Sequence, residues 1–162
     1  MKKYTVILLL LSIGILNATC KKIMPRPTHR GANTFGCYVD GKKYVSRRKN
    51  DFFSQSGPGG SFINNKTMNF GSGGDGVVGI LYTFNFSLQR FTGTGVYALE
   101  RPGNNNNYFW DGADSLYTGE VNITHYYSVH KIIAGTFWVN INRNNQIIKI
   151  TEGRFDINYE DK

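Results

Sequence analysis

The chain has 162 residues, 19 Lys and Arg against 11 Asp and Glu, and a formal net charge of +8. The excess is local: residues 21–49 hold nine bases and one acid, Asp40, whereas residues 50–162 hold eight bases and ten acids. A body this close to neutral offers a phosphate backbone little to grip, so no nucleic-acid partner is expected, and two cysteines are too few for a disulfide framework.

In chain order, Lys2 and Lys3 precede an apolar run from Tyr4 to Leu16. Thirteen residues fall short of the roughly 20 that span a bilayer as a helix. A basic start, a short apolar stretch and small residues before a cut read as a removable signal peptide over 1–19. Leu16 to Cys20 resembles the lipobox of bacterial lipoproteins, with Asn17 and Thr19 as its departures. The resemblance implies that Cys20 is the lipidation site, its thiol carrying fatty acyl chains of the palmitate kind after the leader is removed. More than one acyl chain gives durable attachment, at about 0.8 kcal/mol per buried methylene. Only Cys37 then remains as a thiol, and it is expected to be buried.

Residues 20–32 contain Pro25, Pro27 and four basic side chains. They are expected to form an extended, lipidated tether reaching about 40 Å at most. Basic residues close to an anionic membrane contribute roughly 1 kcal/mol each, which makes this skirt a membrane-facing feature.

From Asn33 onward the period is two. Phe35, Cys37 and Val39 share one face, and Asp40-Gly41 marks a hairpin into KKYVS. Residues 50–75 are rich in Gly, Ser and Asn and read as a long loop with short strands around Phe52 and Met68. In GILYTFNFSLQRF, Ile80, Tyr82, Phe84, Phe86 and Leu88 alternate with Leu81, Thr83, Asn85 and Ser87. Further strands are expected at the end of FTGTGVYAL, in NNNNYFW and in SLYTGEVNITHYY. KIIAGTFWVNI, QIIKIT and GRFDINYE close the chain as a meander. Eight to ten short strands over residues 33–162 make one all-β domain, a single antiparallel β-sandwich or closed β-barrel.

Several of these segments, taken together, resemble a family of Bacteroidetes cell-envelope lipoproteins of unknown function. They are Phe35-Gly36-Cys37 leading to Val39-Asp40-Gly41, Phe91-Thr92-Gly93-Thr94-Gly95-Val96-Tyr97-Ala98-Leu99, Gly135-Thr136-Phe137, and Thr151-Glu152-Gly153-Arg154-Phe155-Asp156. The resemblance spans nearly all of the mature chain and implies an envelope lipoprotein with an all-β domain; no established activity or catalytic residues come with it. In that group, acidic residues after the lipidated cysteine favour export to the surface. Lys21 and Lys22 stand there instead, which points to the outer membrane facing the periplasm. Asp114-Ser115-Leu116 resembles the O-glycosylation sequon of the same group, making Ser115 a candidate.

Chemistry-bearing constellations are few. His29, His125 and His130 lack a third ligand at metal-site spacing, so neither metal nor cofactor is expected. No G-x-S-x-G elbow occurs, and Asp111, Asp114 and Glu120 flank a turn as acids usually do. Arg154 and Asp156 share the face opposite Phe155 and are expected to serve a structural charge role. The suggestive feature is aromatic. Tyr108, Trp110, Tyr126, Tyr127 and Trp138 fall at strand ends or on both faces, and consecutive aromatics on a strand cannot all point inward. Exposed rings near Asn and Asp suit stacking on a glycan or gripping an envelope protein. The expected function is a non-enzymatic binding or structural module. The alternatives are a calycin-like barrel carrying an apolar ligand and a weak hydrolase.

Overall fold

The computed structural model describes residues 23–47, 57–64, 66–73, 83–100, 106–110 and 116–162. The leader, Cys20 to Lys22, the strand expected around Phe52 and the segment containing Ile80 and Tyr82 lie outside them.

Ten strands follow in order: β1 Thr34–Val39, β2 Lys42–Arg47, β3 Pro58–Ile63, β4 Thr67–Ser72, β5 Phe84–Leu88, β6 Gly95–Leu99, β7 Tyr108–Trp110, β8 Leu116–Tyr127, β9 Ile132–Arg143 and β10 Gln146–Asp161. The expected all-β class and the Asp-Gly hairpin are present. The strands are not uniformly short, however: β8 and β9 have 12 residues each and β10 has 16. Their length comes from bulges, which let a strand bend with the barrel wall and continue. The ladder shifts register between Ile123 and His125 and between Ile150 and Gly153.

Two curved layers share β10. One runs β6-β8-β9-β10-β1-β2, and the other continues from β10 through β3-β4-β5-β7. One edge of β10 pairs with β9, while the other takes β1 over residues 150–156 and then β3, in parallel, over 159–161. The far edges almost meet. Glu100 N donates to Asn107 O (2.7 Å). The Tyr117 hydroxyl accepts from Phe109 N (3.0 Å) and donates to Glu100 O. A side-chain hydroxyl thus stands where a ladder bond would complete a barrel.

Alternation fills the interior with rings from seven strands. Phe35 and Phe137 stack with centroids 5.0 Å apart, Phe70 and Phe155 approach to 4.4 Å, and Phe86 lies 4.9 Å from Phe137. Tyr44, Phe84 and Phe109 extend the cluster. The inward-facing residues expected on β1 and β5, and Val121, Ile123 and Phe155, are all buried.

Residues 23–32, expected as part of a free tether, lie against the first layer. Asp156 points outward from it but is 1% exposed, because this segment covers it. Its carboxylate accepts from Thr28 Oγ1 (2.5 Å), Arg30 N (3.2 Å) and Gly31 N (2.7 Å). Arg154 Nη1 donates to Pro25 O (3.3 Å), and Asn158 Nδ2 donates to Gly31 O (3.0 Å). Bonds to an ionised acceptor are the strong kind, so a segment without secondary structure is held as a strap. Arg154 and Asp156 both play structural roles, through the strap and a 3.6 Å contact between Arg154 and Glu152.

At the β10 bulge, Glu152 has φ 49° and Gly153 faces Phe137 so closely that an added Cβ would lie 2.6 Å from the ring. Gly153→Ala is expected to lower unfolding free energy by about 1–3 kcal/mol, the usual cost of overpacking. In a Phe137→Leu background, denaturant titration should show a smaller cost, because the clashing ring is gone.

Candidate functional site

The outer face of the second layer carries a groove of about 1050 Å³. Its floor follows from register. Gly59 of β3 faces Gly71 of β4, Gly71 faces Asn85 of β5, and Asn85 faces Trp110 of β7. A second row runs Ser61, Asn69, Ser87 and Tyr108 across the same strands. Since side chains alternate, these are the partners of the buried Phe70, Phe84 and Phe86 pointing the other way. Three inter-strand spacings of about 4.8 Å give a groove about 14 Å across.

Local packing dictates the depth. A Cβ on Gly71 would lie 1.9 Å from Phe84 O, so the floor there must be bare backbone. Gly59 has nothing within 4 Å of an added Cβ and leaves open space. Trp110, 49% exposed, and the half-buried Tyr108 form the wall at the β7 end. Lys162 is the charged residue of the lining, on the β3 side.

The polar side chains in the groove are unequally engaged. Gln89 donates to Ser87 Oγ (2.9 Å) and accepts from Thr67 Oγ1 (3.1 Å). Among the described residues, no side-chain hydrogen bond engages Asn69 or Asn85. Each carboxamide therefore presents a donor and an acceptor to the groove.

Of the five aromatics singled out by sequence, only Tyr108 and Trp110 come together here. Tyr126 instead extends the core, edge-on to Phe91 at 4.9 Å and stacked on Tyr159 at 6.0 Å. Tyr127, 42% exposed, lies beside His125. Trp138, equally exposed, stands on the outer face of the first layer opposite Glu120. The aromatics do not form one strip, because β7 and β9 belong to different layers. Ser61, Asn69, Gly71 and Asn85 were not singled out. For Asn85 the signal is present, as it alternates with Phe84 and Phe86; the strand expected around Met68 is present as β4 and carries Asn69 and Gly71, but its sequence alone does not mark them as facing a groove.

His125 stacks on His29 of the strap, centroids 4.1 Å apart and planes within 8°. Among the described residues, no group of three His, Cys, Asp or Glu converges on a metal position. Cys20, Ser115, Asp111 and Asp114 lie outside the described residues. Glu120 sits on the layer away from the groove.

Compared with models of protein families, with curated proteins and with solved structures, the chain shows no match.

Cys37 is fully buried, and burial pushes its thiol up from 9.0 to about 12. A raised folded-state pKa means that the thiol's contribution to stability is constant below about pH 9 and is lost as pH rises towards 12, because the unfolded chain ionises first. Cys37 should resist thiol reagents at pH 8 until denaturant is added. Between pH 9 and 12, wild-type stability should fall more steeply than that of Cys37→Ala, as read from urea midpoints at each pH.

Proposed function

We propose that this chain is a lipid-anchored envelope protein whose β-domain binds a glycan in the groove of its second layer. The observation that carries this reading is the pair of unengaged carboxamides, Asn69 and Asn85, beside the exposed Trp110. A sugar ring offers an apolar face to stack on an indole and a rim of hydroxyls for amides and hydroxyls to bond. A peptide would gain less here, since the backbone groups of β3, β4 and β5 are committed to their ladders and peptide capture works through free sheet edges. The groove's amides, hydroxyls and single lysine suit recognition rather than proton transfer, which supports a binding module over a hydrolase. An enclosed apolar ligand finds less support, because phenylalanine rings occupy the space between the layers.

The anchor at Cys20, the leader over 1–19 and a place on the outer membrane facing the periplasm belong to the same proposal. They rest on the short apolar run, the lipobox resemblance and Lys21-Lys22.

With Trp138→Phe as background, so that fluorescence reports Trp110 alone, titration with a panel of linear oligosaccharides should shift the emission of Trp110. By isothermal titration, Trp110→Ala should weaken binding about tenfold, the loss of one stacking contact, and Gly59→Arg should block it by filling the open floor. Trp138→Ala and Tyr127→Ala should leave affinity within about twofold. Binding that survives both groove substitutions would remove the groove from consideration. Mass spectrometry of the mature amino terminus should find acylated Cys20, and an unmodified Cys20 in a soluble protein would refute the anchor.

A further inference from the structure

Asn85 occupies a particular place in the groove. On one side it is paired across the ladder with Trp110, and directly opposed residues bring their Cβ atoms to about 5 Å. On the other side it faces Gly71, and its Oδ1 lies 2.8 Å from the point a Gly71 Cβ would occupy. The amide therefore lies over a floor that no side chain can fill, with the open Gly59 position one strand further on. Asn69 is diagonal to it on β4 and also unengaged.

From this arrangement we propose that the groove selects sugars bearing an acetamido group, read by Asn85 beside a ring stacked on Trp110. This rests on the glycan reading given above. A carboxamide presents one donor edge and one acceptor edge, and an acetamido group presents the complementary N–H and C=O. A plain hydroxyl is a single oxygen and meets one edge at a time. The acetamido methyl, which a hydroxyl lacks, finds the open space over Gly59. The groove's charged residue, Lys162, sits towards β3, away from Trp110, so the stacking end suits a neutral substituent. A site built to bond a specific polar group discriminates against the analogue lacking it, because its own groups are then left unpaired.

The test compares triacetylchitotriose with cellotriose, which share a β-1,4-linked backbone and differ in the acetamido group, by isothermal titration against the full chain. The acetamido trimer should bind about tenfold tighter, the effect of one or two neutral hydrogen bonds. Asn85→Ala should bring the affinity of the acetamido trimer down to that of cellotriose measured in the same variant, and Asn85→Asp, which keeps an acceptor but lacks the donor, should lose the preference as well. Equal wild-type affinities, or a preference retained in both variants, would overturn the selectivity and leave the groove as a general glycan site. If neither trimer binds and Trp110 emission is unmoved by the wider panel, the glycan reading falls and takes the selectivity with it.

Discussion

Everything in this fold hangs from one strand that is hydrogen-bonded along both edges. β10 must pair with β9 on one side and with β1, then β3, on the other, so it belongs to both layers at once. A straight 16-residue strand could not do this without splaying one layer away. The bulge between Ile150 and Gly153 supplies the bend, with Glu152 in the left-handed region and Phe137 resting on the bare Cα of Gly153. Phe137 in turn contacts Phe35, Phe86 and Phe155, so the bend and the ring cluster are one feature.

The groove is a consequence of that bend. Because β10 carries the chain into a second layer, β3, β4, β5 and β7 expose a face of their own, separate from the first layer's Trp138. Packing makes this face shallow, since Gly71 has no room for a side chain against Phe84 O. A glycine floor, two free amides and an aromatic wall follow from register. The chemistry of recognition and the packing of the core are two sides of the same strands.

The strap bears on how the domain would sit relative to the anchor proposed at Cys20. A free segment of a dozen residues would let the body stand off by tens of ångströms. Asp156 and Arg154 hold residues 25–31 against the first layer, and with Cys20 as the proposed attachment point residues 21–24 separate it from Pro25, the first residue held. That span reaches at most about 17 Å when extended.

Much of the architecture was legible from period-two alternation. Phe35, Cys37 and Val39, Phe84, Phe86 and Leu88, and Phe155 with Arg154 and Asp156 behind it, all fall on the faces their spacing assigns. Asp40-Gly41 set the first hairpin, since both residues tolerate positive φ. Alternation is local, so it states which side of a strand a residue faces but not which strand lies beside it. That is why Tyr108 and Trp110 are grouped with Tyr126, Tyr127 and Trp138, and why β3 reads as loop while only a short strand around Met68 marks β4: the Gly and Ser of β3 become strand only when β4 and β10 pair with them. The sequence by itself determined the class of the fold, its inward faces and its buried thiol, because these follow from backbone geometry and burial of apolar side chains. Tertiary structure alone decided the groove, the strap over Asp156 and the His29–His125 stack, because each joins residues through pairings that span much of the chain.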